Sequence, residues 1–406
     1  MNNPAPAPGF IPRRHGCDVA AGRRTGRLVR LMTPGNPDPS AQRWRELGEA
    51  LMHGDPPADR LLDWMHGAGM RQAMPLFQRA AADGIAGVAD APAPLREFFA
   101  LCEAVPAWVR PDLVEQGQRL FQRMGRTADF ALRDGALMGG YQASAFNKTL
   151  ILTGALAGGN ARRVAETMQW VADCTAVGGL ARGAPGYRST LRVRLMHAMV
   201  RRRLLKLPEW DRAELGIPIN QTDMAATYLG FSVVLLLITR AMGVPVTRAE
   251  GLAEMHMWKY ICWLMGVDER WLCDDEAAGR TLLYQMLLAQ TPPDDTSRQL
   301  GRALMNDGLR EPWPQRWRVR FEHARHLSVT RLLVGRRGMA ALGLPRGVLP
   351  WYPLLSAPFT FLWHLAHRLV PGGQRRAERL GRAVQEHLTR MRFGSVQPGL
   401  GALQPD

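Results

Sequence analysis

The stretch Arg188–Arg203, RSTLRVRLMHAMVRRR, constrains this chain more than any other. At about 100° per residue, one helical stripe carries Thr190, Val193, His197, Val200 and Leu204. Arg194 and Arg201 stand one turn either side of His197 on one flank of that stripe, and Val193 and Val200 stand on the other. A single imidazole therefore lies between an apolar strip and a cationic strip. Two readings are open from these residues alone. One is a core histidine on a basic surface helix. The other is a ring nitrogen offered to haem iron, with the porphyrin against the valines and its propionates at the arginines.

The rest of the chain keeps the same helical period, and no strand alternation is sustained anywhere in it. We expect an all-α protein, a single large globin-like helical domain, which on the second reading of His197 has a haem pocket between core helices. Residues 1–39 (PAPAPGF, then TPGNPDPS) are rich in Pro and Gly and read as a disordered N-terminal segment. Residues 40–291 read as the main helical domain, the catalytic one on that same reading, opened by Ser40 as an N-cap. Residues 292–406 read as a C-terminal helical extension packing on it. The apolar run Phe231–Ile238 falls far short of the roughly 18 residues of a membrane span, and its helix from Asp223 to Met242 reads as buried. In LPWYPLLSAPFTFLWHLAHRLVPGG, Pro350, Pro353 and Pro358 each remove a backbone donor, which argues against a regular spanning helix. Its aromatic residues beside arginines suit a peripheral membrane contact through 350–371, the mouth of an apolar channel, or a packed C-terminal cap.

Charge narrows the partners. The formal net charge is +16, yet only Lys148, Lys206 and Lys259 are lysines, and the arginines are scattered through every helix. Dispersal of this kind points away from a dedicated nucleic-acid arm and leaves a basic binding surface for a polyanion or an anionic membrane as the rival, non-enzymatic reading. Cys17, Cys102, Cys174, Cys262 and Cys273 form no CxxC pair, and no apolar run follows Arg13-Arg14. The expected setting is the reducing cytoplasm. His364 and His367 share an i, i+3 spacing, as do His323 and His326, without a third metal ligand beside them. Nucleophile-elbow, P-loop and HExxH signatures are absent.

A second helix, Ala161–Val177, places Arg163, Glu166, Thr167 and Trp170 on one face. That face is either solvated or the wall of a polar pocket. In order, ARRVAETMQWV, RVRLMHAMVRR, GIPINQTD with FSVVLLL, and EMHMWKYICWLMGVD resemble the catalytic domain of the latex clearing proteins, haem b rubber oxygenases. The membrane-bound oxygenase of mycophenolic acid biosynthesis belongs to the same broad group. The resemblance covers about Pro106 to Leu272.

It implies haem b as cofactor, His197 as the proximal iron ligand, and Arg163 and Thr167 on the distal side. Glu166 stands where the latex clearing enzymes have a lysine. The preceding helix offers Asn147 and Lys148 where the family has a glutamate thought to act as a base. The resemblance further implies an oxidoreductase, a haem-dependent dioxygenase. It would use dioxygen and an electron donor of unknown identity to oxygenate or cleave a C=C bond in an apolar, isoprenoid-like substrate. With the distal residues rewritten, an apolar alkene other than rubber is the expected substrate.

Overall fold

The computed structural model describes residues 9–154, 160–307 and 315–394, and among them it is all-α, with no strand. Two long crossings organise the core. The helix Arg248–Leu264 lies along Pro111–Met124, where Gly117 makes the approach possible: a Cβ there would sit 2.6 Å from the Ala253 carbonyl oxygen. The helices Asn160–Cys174 and Pro185–Leu204 form an antiparallel hairpin, which Pro56–Ala68, Met70–Asp83 and Arg248–Leu264 back from the other side. Leu191, Leu195 and Ala198 of the second hairpin helix are fully buried in the main core, and Leu204 at its end is fully buried too. Sealing such side chains contributes roughly 1.5–3 kcal/mol each relative to leaving them in water.

The apolar run around Phe231 lies inside a continuous helix, Gln221–Ala241, capped by Asn220, whose side chain accepts from the Asp223 amide. Among the described residues it is the one helix long and apolar enough to cross a membrane, and 56% of that window is buried inside the protein. It is a core helix in this fold. Its middle, Gly230–Val234, is wound as a π-helix, and it packs against a second π-helical segment, Ala131–Leu137.

Two expectations change. Residues 1–8 lie outside the described residues, but the rest of the segment expected to be disordered carries two helices, Val19–Thr25 and Arg27–Met32, docked on Glu276–Ala289. Gly22 permits the docking, since a Cβ there would lie 2.5 Å from the Leu287 carbonyl oxygen. Asp38 fastens its end by accepting from Arg30 (2.7 Å) and from the Tyr284 hydroxyl (3.3 Å). The Pro-punctuated aromatic stretch is a regular helix, Trp351–Leu369. Pro353 falls in its first turn, where amides have no helical acceptor, and Pro358 lies on the solvent side, so the carbonyl it leaves free meets water.

The helices after 292 pack directly on the core. A second apolar cluster joins Met138, Tyr141 and Val164 to Leu300, Leu304 and Met339. Beside it Asp134, fully buried, accepts from Arg133 (2.6 Å) and meets His326 Nδ1 at 2.6 Å. Arg123 bonds Glu250, which Arg368 also reaches at 2.5 Å.

Candidate active site

The hairpin sets the candidate residues opposite one another. Pro185 starts the histidine helix at a position that needs no amide. Thr190 then ties the two helices together, donating to the Gly186 carbonyl (2.7 Å) and accepting from Trp170 Nε1 (3.0 Å). In this antiparallel register Arg163 comes level with His197, and its positive charge acts on that imidazole. An aromatic group walls the inner end: Phe231 stacks on Trp258 at 4.9 Å, and Trp170 meets Phe231 edge-on at 5.4 Å.

His197 is half-buried, and its Nδ1 is sealed from solvent with no hydrogen-bond partner. Burial first, and then the charges of Arg201 and Arg163 against an opposing pull from Asp55, bring its pKa down to about 4. The ring is therefore neutral at physiological pH, as a metal ligand must be. Val193 and Val200 beside it are half-buried, and Met196 is exposed, so an apolar strip with open surface adjoins the ring.

The cationic flank is different from expectation. Arg194 and Arg201 were expected to meet propionates, but both are buried and already paired. Arg194 is held by Asp55 through two bonds (2.6 and 2.8 Å), and Arg201 is held by Asp59 (2.7 Å). Burial disfavours the Arg194 charge, yet the Asp55 carboxylate outweighs it and raises the guanidinium pKa. Arginines seven apart on one helix match carboxylates four apart on the Pro56–Ala68 side. Their charge is consumed in fastening two helices.

On the facing helix, Arg163 is half-buried and donates to Thr153 Oγ1 (3.0 Å). The Thr167 hydroxyl donates to the Arg163 carbonyl (2.8 Å), so its proton is committed to its own helix. Glu166 accepts from Arg162 (2.9 Å), and its charge also acts on Arg163 and Arg192. This face is one carboxylate set among three arginines. Asn147 points elsewhere: its amide donates to the Tyr141 carbonyl (2.7 Å) and to Thr296 and Ser297 (both 3.2 Å). Sequence reasoning missed Glu254, a fully buried carboxyl pushed up to about 8 by desolvation and held, among the described residues, by Trp258 Nε1 alone (2.9 Å). Its spacing of four from Trp258 was the available signal. No group of three potential metal-ligating side chains occurs among the described residues.

Fold and site together define an all-α domain in which a neutral histidine, missing a partner, faces a polar helix across an apolar strip. The chain belongs to the family described as ER-bound oxygenase mpaB/B'/rubber oxygenase, catalytic domain, whose model matches residues 122–370. That stretch crosses the boundary expected at 291/292 and ends just past the Trp351–Leu369 helix. A rubber oxygenase from Streptomyces sp. (strain K30) is 25% identical over 211 residues, covering 50% of each chain. This chain thus spans about half the length of that curated relative. Among solved structures, latex clearing protein in its closed state shares the fold with a TM-score of 0.56 and 19% identity, over 83% of this chain and 91% of that one.

Proposed function

We propose that this protein is a haem b-dependent dioxygenase that cleaves or oxygenates a C=C bond in an apolar, isoprenoid-type substrate, as the family name and the rubber-oxygenase relative suggest. One observation carries the reading: the unpartnered His197 ring, kept neutral beside half-open Val193 and Val200. These residues fit haem: His197 would hold its iron, and Val193 and Val200 would give its ring apolar contact. Arg194 and Arg201 do not fit the propionates, because Asp55 and Asp59 already hold them. When bound, haem supplies the redox chemistry with dioxygen, the two oxygen atoms of which balance two carbonyl products of a cleaved alkene. Arg163 places a cation level with His197, where it would stabilise developing negative charge, and Thr167, one helical turn on, holds the Arg163 carbonyl through its hydroxyl. Glu166, in the position of the latex clearing lysine, leaves that face without a lysine ligand. The four buried cysteines are free thiols, which supports a reducing, cytoplasmic setting. The polyanion-binding reading loses ground because Arg194, Arg201, Arg123 and Arg133 are spent on internal ion pairs.

The test is the ultraviolet–visible spectrum of protein produced with ample haem supply. A Soret band is expected in wild type and is lost in His197→Ala with helical circular dichroism unchanged. A colourless, folded wild type refutes the proposal. Glu166→Lys is expected to shift the resting spectrum toward six-coordinate, low-spin iron. An unchanged spectrum removes Glu166 from the distal face.

A further inference from the structure

The Trp351–Leu369 helix is unlike every other long helix in the molecule. Its inner face is firmly held: Pro353 and His364 are buried, the Tyr352 amide donates to Ser328 Oγ (2.9 Å), and Arg368 donates to the Pro245 carbonyl (2.7 Å). Its outer face is bare and apolar. Leu355 is 64% exposed, Phe359 74%, Leu362 59% and Leu369 75%, and these positions recur at helical spacing along one stripe. Leu354, Phe361 and Val370 widen it. An exposed patch of this extent on a rigid element marks a contact surface.

Charge identifies the occupant. Between Glu322 and Glu378 the chain contains no carboxylate and eight arginines. Exposed Arg346 stands before the helix, and exposed Arg375 and Arg376 follow it after one turn of loop. A second copy of this face would bring arginine edges against arginine edges with no acid to separate them. An anionic bilayer offers what both parts of the surface lack, acyl chains for the stripe and phosphates for the ends. The helix is about 28 Å long, and it is not among the described segments apolar enough to cross a membrane. Its buried inner face also forbids insertion across the bilayer.

We propose that the Trp351–Leu369 helix docks the protein in the plane of an anionic lipid bilayer. Leu355, Phe359, Leu362 and Leu369 enter the acyl boundary, and Arg346, Arg375 and Arg376 engage headgroup phosphates. The inference is independent of haem and of the reaction.

The test is flotation of the full chain with phosphatidylcholine vesicles, with and without about one-third phosphatidylserine. Wild type floats with the phosphatidylserine vesicles, stays behind with phosphatidylcholine alone, and binds more weakly as salt rises. Leu355→Glu/Phe359→Glu lowers binding at least about tenfold, and Arg375→Glu/Arg376→Glu lowers it by about tenfold, each with wild-type circular dichroism. The proposal is overturned if wild type does not float with the anionic vesicles, or if the Leu355→Glu/Phe359→Glu variant floats as well as wild type. It is also overturned if light scattering shows a dimer that Phe359→Glu dissociates, since the face then belongs to a second copy.

Discussion

His197 and His326 both lie on long helices and both face the interior, but their surroundings are opposite. His326 is satisfied: its Nδ1 lies 2.6 Å from Asp134, which Arg133 holds in turn, and Phe130 packs edge-on at 5.3 Å. His197 has a sealed nitrogen with nothing to bond and an apolar strip beside it that stays half-open. A buried polar group without a partner costs on the order of 1–3 kcal/mol. The difference separates scaffold from site more sharply than the spacing of either histidine could.

The largest expected effect tests the scaffold side. Asp134→Ala strands Arg133 and His326 in the interior and should lower stability by about 3–5 kcal/mol in denaturant unfolding. His197→Ala should cost no more than about 1–2 kcal/mol. Equal costs for the two variants break the comparison.

Glu254 tests it from the acid side. Its carboxyl is pushed up to about 8 by burial, so the protonated form is the one the fold prefers. The stability it contributes is present at low pH and is lost as pH rises from the ordinary carboxyl range through about 8. Glu254→Gln should therefore flatten the stability profile over that window, by roughly 2–4 kcal/mol at its alkaline end. An unchanged slope shows that the carboxyl finds a partner the fold does not display.

The imidazole gives the next effect, with the opposite sign. Because burial depresses His197 to about 4, its contribution is present above the ordinary histidine range and is lost as pH falls toward 4. In protein prepared without haem, His197→Gln should remove about 1–3 kcal/mol of acid-side slope between pH 6.5 and 4, discounted for the partly exposed ring. His364, also depressed to about 4 by burial, adds acid-side slope of the same sign, as do His15, His256 and His323, each lowered by burial. The smallest effect belongs to Arg162, 62% exposed in its pair with Glu166. Arg162→Ala should change stability by less than about 1 kcal/mol, and a larger loss would make that pair part of the site's framework.

How much of this was legible depends on whether the cause is local. Helical periodicity is local, so the all-α fold, the Ser40 and Asn220 caps and the two facing helices could all be read from the chain. His197 between valines and arginines was legible too. The use of those arginines was not, because Asp55 and Asp59 lie 139 and 142 residues away and only folding brings them together. The same holds for the N-terminal helices, whose anchor is the backbone of Leu287 under Gly22. The proline-rich helix was obscured for another reason. A proline's cost depends on which face it occupies, and composition does not report the face.

The two π-helical segments, Ala131–Leu137 and Gly230–Val234, carry a consequence for how this chain tolerates change in length. Each holds one residue more than an α-helix would need over the same rise. Removing a single residue from either would let the local backbone relax into an ordinary helix at little cost. The flanking turns would stay close to their present phase, because the wider π turn already absorbs the extra residue. Within the first segment, side chains would still change direction, which puts the Asp134–His326 contact and the close approach of Gly135 to Ile238 at stake. Single-residue deletions there should spare the flanking helices and disturb the contacts of the segment itself, and the exposed loop around Gly372 should absorb them with no such loss.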